Sequence, residues 1–582
     1  WLKSAFCRFK GRVAAMAWPW VPGLAAVGQA CAALLALGTS AVAAAAPRPP
    51  ATPRGFPVVD TPLGKVRGVD YGDFLAFKGL PYAEPPRRFA APAPKQPWRE
   101  SGVLDATRFG DACASAGAHR DRDPLESYGE SEDCLYTNVW RPKGNASGLP
   151  VVVWIHGGGF IMRTGSFAGY WGDGFVSIAD APVVLVTFNY RLGIFGFYSS
   201  EDTGANFGFQ DQQMLLRWTR DNIAAFGGDP QRVTVMGQSA GAMSVVCHLV
   251  APGSQGLFWR AMASSPVGLH YRTPEENAAF VDTVSKVVRC SKAGNQTECL
   301  RSRSWRELKL ADIVPEYLVH FRKPCPECDN LLPWLPVVDG VTLPMTPVRA
   351  VQEGHYAKVP TILSSTRNET LAFVPTLLVA LADNRLAYKL LASALFKDRA
   401  DAVERHYAAS PDTAGTKDKA ELLGVASTDA LVTCYVRYMA RLMSQQGTPA
   451  FLSTFLLPPH SSEMRADWRC VMGPPDGASC HAGDIAYQLP LSPRMTQRTG
   501  VGYQGPTEAS VATQYARAII RFASGLPSDF LEYASDADVG AAWDTSGAGR
   551  TVQYHQGHCD FLESIGFPQD PWGDGARETL VV

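Results

Sequence analysis

The run Arg232-Val233-Thr234-Val235-Met236-Gly237-Gln238-Ser239-Ala240-Gly241 decides the fold. Its first half is a short, β-branched, apolar strand, and Met243, Val246, Cys247 and Val250 then recur at i, i+3, i+4 and i+7, one face of a helix. Between them stands G-x-S-x-G, whose small residues let a sharp strand-to-helix turn project the serine hydroxyl above a sheet. The serine opens a helix whose dipole favours negative charge developing beside it. Strand, tight turn and helix together make Ser239 a candidate nucleophile.

Working upstream, Pro150-Val151-Val152-Val153-Trp154-Ile155 and Pro182-Val183-Val184-Leu185-Val186-Thr187-Phe188 read as two more buried strands. The first runs into His156-Gly157-Gly158-Gly159-Phe160, where three glycines let the main chain and its N–H donors approach a developing oxyanion. Met214, Leu215, Trp218 and Phe226 mark a helix that Phe226-Gly227-Gly228-Asp229-Pro230 should stop. Downstream, Val359-Pro360-Thr361-Ile362-Leu363 leads to Glu369, and Ala450 to Leu457 forms a strand ahead of His481. Strands alternating with helices predict an α/β fold, a large, mostly parallel central sheet flanked by helices.

A serine hydroxyl is a poor nucleophile until a base takes its proton and a carboxylate orients that base. His320, His355, His406, His460, His481, His555 and His558 lie far enough beyond Ser239 to serve. His481 stands out because Ser479-Cys480-His481-Ala482-Gly483-Asp484 is a glycine-containing loop between apolar stretches. His355 and His406 sit in polar helical contexts and read as surface residues. His555 and His558 flank a C-terminal helix and read as solvated rather than as metal ligands. No metal and no organic cofactor is expected.

The 582 residues are 46% hydrophobic and 19% charged, enough to bury a large core, and 54 Lys+Arg against 55 Asp+Glu leave a net charge of −1. The bulk electrostatic pull of a nucleic-acid binder is therefore missing. Residues 1–46 read as a leader with a probable start at Met16: no charge falls between Val21 and Ala46, and the run ends in alanine-rich cleavage sites. An uncleaved anchor is the alternative. Residues 47–54 form a Pro-rich linker, 55–567 the folded domain and 568–582 a C-terminal tail. Export to the extracellular space is expected, with no stable membrane anchor once the leader is removed. Asn145 and Asn295 sit in sequons in polar stretches and are glycosylation candidates; a third sequon, at Asn368, adjoins the expected acid and should be bare.

With these motifs in place the chain, from about Gly55 to about Phe567, resembles the type-B carboxylesterase/cholinesterase family of α/β-hydrolases. The resemblance rests on Thr61-Pro62-Leu63-Gly64-Lys65-Val66-Arg67-Gly68, Phe77-Lys78-Gly79-Leu80-Pro81-Tyr82-Ala83-Glu84-Pro85-Pro86 and Glu132-Asp133-Cys134-Leu135-Tyr136-Thr137-Asn138-Val139-Trp140. Asn189-Tyr190-Arg191-Leu192-Gly193 and Phe226-Gly227-Gly228-Asp229-Pro230 also look like family signatures. It implies Ser239 as nucleophile, Glu369 as the acid, His481 as base and then acid, and Gly158, Gly159 and Ala240 as oxyanion donors. The family's usual Asp-Glu-Gly stands here as Asn368-Glu369-Thr370, and position after a strand favours Glu369 over Asp339 or Asp383.

Cholinesterases place a tryptophan before the equivalent of Cys134 and a glutamate before the nucleophile; here Cys113 to Cys134 holds no Trp and residue 238 is Gln. Choline esters are thus not the expected substrate. The expected activity is hydrolysis of short-to-medium acyl esters by a monomer or homodimer. The alternatives are a lipase of long-chain esters and a catalytically silent adhesion or binding relative.

Of 13 cysteines, Cys7 and Cys31 fall in or before the leader, and Cys247, on the apolar helical stripe, reads as a buried free thiol. The resemblance pairs Cys113 with Cys134, Cys290 with Cys299 and Cys434 with Cys559. Cys470 and Cys480 depart from the family pattern and, if paired, close a short loop beside His481; Cys325 and Cys328 read as a local bridge in preference to a redox or zinc C-x-x-C, since no second C-x-x-C and no thioredoxin-like setting accompany them.

Overall fold

The computed structural model describes residues 54–567 apart from 99–101, 117–128, 179, 319–331, 371–388, 390–391, 394, 411–418, 458–478, 493–494, 497–501, 504, 535–536 and 553–555. The chain divides into Trp1–Pro49 and Pro50–Val582, and every described residue belongs to the second unit. The expected leader, most of the linker, the tail, Cys325, Cys328, Cys470 and His555 lie outside the described residues.

Eleven strands make the principal sheet among the described residues. In chain order they are β1 (Val69–Asp70), β2 (Phe74–Pro81), β3 (Tyr136–Pro142), β4 (Leu149–Ile155), β5 (Val184–Phe188), β6 (Gly228–Gln238), β7 (Arg260–Ser264), β8 (Thr361–Thr366), β9 (Ala450–Phe455), β10 (Gly540–Asp544) and β11 (Gly547–Val552). Their spatial order is β11-β10-β9-β8-β7-β6-β4-β5-β3-β2-β1. All pairings from β10 across to β5 are parallel, and both edges are finished antiparallel. Every residue of β4, β5 and β8 is buried, as central parallel strands covered on both faces must be. From β4 the chain steps to β5 on one side and then back to β6 on the other, so the strand order reverses at β4, where α/β sheets open a crevice at the carboxyl ends of their strands.

The helix α1 (Phe207–Asn222) continues into a single 3-10 turn, Ile223–Phe226, closed by Gly227 at φ +83°. Gly228-Asp229-Pro230, expected to stop this helix, already belong to β6. Proline is tolerated there because the β6–β4 ladder shifts register between Gly228 and Val233, where no amide of residue 230 is required. The helix α2 (Ala240–Val250), expected to bury one stripe, is buried all round. Its polar residues are paired internally: Ser244 Oγ accepts from Gln212 Nε2 at 3.0 Å, and the His248 ring meets Ser254 Oγ at 2.8 Å and Gln212 Oε1 at 3.0 Å.

A smaller core packs Phe396, Val403, Tyr407, Leu423 and Leu562 around Cys434 and Cys559, which join α3 (Cys434–Gln445) to a C-terminal helix, Gln556–Ser564. His558, expected in solvent, is buried there: its ring stacks on Tyr407 at 4.1 Å and its Nε2 lies 3.1 Å from Ser410 Oγ. His406, expected at the surface, is half-buried and stacks on Phe561 at 3.9 Å. In both cases an aromatic neighbour distant in sequence covers the ring. Cys113–Cys134 and Cys290–Cys299 are also bonded, and Cys247 is a buried free thiol that burial pushes up to about 12. Among the described residues no helix is long and apolar enough to cross a membrane, and no cluster of His, Cys, Asp or Glu is placed to hold a metal ion.

The tightest packing of helix on sheet lies at Gly241, where a Cβ would fall on the Ile155 carbonyl oxygen and within 3.0 Å of the His156 carbonyl carbon. Gly241→Ala must push α2 off β4, and overpacking of this kind costs about 1–3 kcal/mol. Thermal unfolding should show a lowered Tm; an unchanged Tm would contradict the close approach.

Candidate active site

The site is assembled by register. Gly237 of β6 pairs with Ile155 of β4, so the turn at Ser239 and the loop at His156-Gly157-Gly158-Gly159 leave the sheet side by side. Ser239 has φ +60° and ψ −126°, a conformation that costs a non-glycine residue about 1–3 kcal/mol and persists only when its surroundings impose it. Here they do so through Ser239 N, which donates to Ser264 O at 3.0 Å, and Ser239 O, which accepts from Met243 N at 2.8 Å. A Cβ on Gly157 would stand 2.6 Å from Gln238 O and 2.9 Å from Ser239 Cβ, so a residue with a side chain would crowd the nucleophile. Gly158 and Gly159 follow at φ +107° and +61°. Among the described residues none accepts from the amides of Gly158, Gly159 or Ala240, and the Ala240 amide begins a helix.

Glu369 and His481, the candidate acid and base, follow β8 and β9, and Glu369 is fully buried. A single β-bridge, Asn368 with Cys480, joins the two loops, and Asn368 N donates to Ser479 O at 2.9 Å. His481 Nδ1 donates to Glu369 Oε2 at 2.6 Å, and Glu369 Oε1 accepts from Ser265 Oγ at 2.7 Å and Thr366 N at 2.5 Å. Both carboxylate oxygens are thus committed, which fixes the acid and leaves Nε2 as the basic nitrogen of the imidazole. Gln238 Nε2 lies 3.1 Å from that nitrogen and donates to it. Thr370, where the family motif has glycine, sends its hydroxyl to Gly424 O at 2.9 Å and lies 2.7 Å from Ser427 Oγ, anchoring the acid loop from behind. Asp339, the alternative acid, is occupied elsewhere: its Oδ1 accepts from the amides of Val341, Thr342 and Leu343. Asp383 lies outside the described residues. Cys480 is disulfide-bonded, which tethers the residue next to His481.

Tyr190 braces the glycine loop and Asn189 the segment that follows it, while Arg191 ties the same stretch to α1, roles the sequence alone did not disclose. Asn189 Oδ1 accepts from Thr164 Oγ at 2.7 Å and Gly165 N at 2.9 Å; Tyr190 Oη donates to His156 O at 2.8 Å. Arg191 is bonded to Asp211 through Nε at 2.8 Å and Nη2 at 2.7 Å, both side chains buried. His156 stacks on Tyr190 at 4.4 Å, and burial pulls its ring down to about 4, so it is neutral and packs the loop instead of exchanging protons. Ser265 was equally invisible: a serine one residue beyond β7 carries no motif, and only the fold brings it to Glu369.

With this geometry in hand, the family model described as the carboxylesterase family matches residues 55–551. The chain belongs to the carboxylesterase family. It is 38% identical over 326 residues to the para-nitrobenzyl esterase of Bacillus subtilis (strain 168), a match covering 54% of this chain and 63% of that protein. It is 32% identical over 488 residues to the fumonisin B1 esterase of Sphingopyxis macrogoltabida, covering 80% of this chain and 82% of that one. A solved structure of PNB esterase superposes with a TM-score of 0.70 at 26% identity, covering 87% of this chain and 98% of the other, so the fold is that of the α/β-hydrolases.

Ser265→Ala leaves Glu369 Oε1 short of a donor. A hydrogen bond to a charged group is worth about 1.5–3 kcal/mol, so kcat of an active enzyme should fall about tenfold or more. Steady-state kinetics with Tm as control checks this; unaltered kcat would show that Ser265 does not hold the acid.

Proposed function

We propose that the protein is a serine hydrolase that cleaves carboxylic esters through an acyl-enzyme. The observation that carries this reading is the buried His481–Glu369 hydrogen bond of 2.6 Å, held by the bridge between their loops beside the strained Ser239 turn. Ser239 Oγ attacks the ester carbonyl while its proton passes to His481 Nε2. Amides of Gly158, Gly159 and Ala240 receive the oxyanion, and donors of this kind contribute about 2.7–4 kcal/mol each. The imidazolium, steadied by Glu369, gives its proton to the departing alkoxide. Water then surrenders a proton to His481 and attacks the acyl carbon, and Ser239 is regenerated. No step requires a metal or an organic cofactor.

Short-to-medium acyl esters are the proposed substrates. Their apolar acyl groups suit a loop against which Met162 and Leu332 pack, at Gly158 and Gly159 respectively. Gln238, next to Ser239, is neutral and Cys113 to Cys134 contains no Trp, so a choline cation lacks both a carboxylate and that aromatic face, which disfavours choline. Export, glycosylation at Asn145 and Asn295 and a monomeric or homodimeric state belong to the same proposal; the bonded cysteines support an oxidising compartment. Both asparagines are exposed, Asn295 also capping a helix by accepting from Glu298 N at 2.9 Å.

Ser239→Ala should abolish turnover of p-nitrophenyl acetate with thermal unfolding unchanged; retained turnover would sink the assignment, and a silent wild type would favour the binding relative. Rates on p-nitrophenyl acetate, butyrate and palmitate should peak before palmitate, whereas a maximum at palmitate would make the protein a lipase. Acetylcholine should be hydrolysed no faster than its uncharged isostere 3,3-dimethylbutyl acetate, and a clear preference for acetylcholine would refute the leaving-group argument.

A further inference from the structure

The register of the sheet sets Gln238 beside Ser264, Ser264 beside Ser364 and Ser364 beside Ser453. Neighbouring residues in a parallel ladder share a face, so these four polar side chains form one row across β6, β7, β8 and β9. All four are buried, Ser264 and Ser453 completely. One end of the row touches the catalytic base, through Gln238 Nε2 and His481 Nε2 at 3.1 Å. Toward the other end stand Tyr515, from α5 (Pro506–Ala523), and Asp484, at the start of α4 (Ile485–Gln488). Asp484 comes three residues after His481 in the turn closed by Gly483 N to Cys480 O at 2.8 Å. It is fully buried, and its Oδ2 accepts from Gln488 Nε2 at 2.6 Å. Its Oδ1 has no hydrogen-bond partner among the described residues, nor have the hydroxyls of Ser264 and Ser479, whereas the Tyr515 hydroxyl interacts with those of Ser364 and Ser453.

A fully buried carboxyl with one oxygen unbonded costs more than an unbonded hydroxyl and is not explained by packing. Nor does the acyl-transfer mechanism use it. We propose that Asp484 is a second, titrating carboxyl behind the catalytic pair, whose negative charge supports the His481 imidazolium and whose protonation withdraws that support. The inference rests on the reading of Ser239, Glu369 and His481 as the catalytic residues. The ionisable groups facing Asp484 are Glu369 from the loop after β8, His481 from its own turn and Tyr515 from α5. Glu508, farther back on α5, is taken up by Tyr487 Oη at 2.7 Å. Burial, reinforced by the charge of Glu369, raises the Asp484 carboxyl to about 7, while Gln488 and His481 act in the opposite sense. Asp484 is therefore neutral on the acid side of neutrality and ionised on the alkaline side. As Ser239 attacks, its proton makes His481 a cation that Glu369 alone balances at low pH and that both carboxylates face at high pH.

The test compares kcat of wild type and Asp484→Asn on p-nitrophenyl acetate from about pH 6 to about pH 9, across the range in which a carboxyl raised to neutrality changes charge. The ratio of wild type to variant should be near one at the acid end and climb about three- to tenfold, as expected for loss of up to one pKa unit of support to a cation. Its midpoint should lie near 7, where the carboxyl titrates. A flat ratio overturns the proposal, because a residue that only packs lowers activity equally at every pH. Should Asp484→Asn fail to fold, Gln488→Leu answers the same question: without its amide donor the carboxyl titrates higher. Wild type should then exceed that variant only in a window just above neutrality and match it again at alkaline pH, and no such window overturns the proposal. An active wild type with a dead Ser239→Ala variant and a flat ratio refutes the role of Asp484 alone. Activity that survives Ser239→Ala refutes the catalytic reading itself and this inference with it.

Discussion

The parallel pairing of β4 with β6 is the constraint on which the site depends. Because Gly237 lies opposite Ile155, the nucleophile turn and the glycine loop leave adjacent strands at the same level, and Gly241 lets α2 close over the junction without a side chain between. A shift of one residue would turn Gln238 and its row to the other face of the sheet and carry Ser239 away from Gly157. Tyr190, bonded to His156 O, keeps the glycine loop at that height, and Asn189 secures the Thr164-Gly165 segment beyond it. The strained backbone of Ser239 is held by Ser264 of β7 and Met243 of α2.

Glu369 and His481, the proposed acid and base, are fixed by a second device, independent of the first. Neither Glu369 nor His481 belongs to a strand, yet one β-bridge between residues 368 and 480 aligns their loops, and the disulfide at Cys480 and the hydroxyl of Thr370 hold them from either side. Burial then gives the Glu369–His481 contact its strength, since an ion pair or charge-assisted hydrogen bond is screened far less away from water. The same burial gathers polar side chains behind the pair, Asp484 among them.

Much of this was legible in the residues, for identifiable reasons. Central parallel strands buried on both faces read as near-continuous apolar runs, so β4 and β5 announce themselves, and the strand and helix that flank the glycine-framed serine mark its turn. His481 could be singled out because a histidine in a glycine-bearing loop between apolar stretches has few structural duties. What stayed hidden depends on register and long-range packing. Nothing in Ser264, Ser364 and Ser453 shows that three strands far apart in sequence align them. Nothing in a lone Ser265 or Asp484 reports the carboxylate or imidazole beside it. The all-round burial of α2 and the burial of His558 escaped periodicity for the same reason: the covering surface, Gln212 and Ser254 in one case and Tyr407 in the other, comes from elsewhere in the chain.

The account stands on a covalent intermediate at one serine, and the most direct measurement is rapid-quench mass spectrometry of the protein mixed with p-nitrophenyl acetate, followed by peptide mapping. An acetyl group should appear, within the burst of p-nitrophenol, on the peptide that contains Ser239 and on no other. Steady turnover with no acylated peptide, or an acetyl group at a different residue, would contradict it.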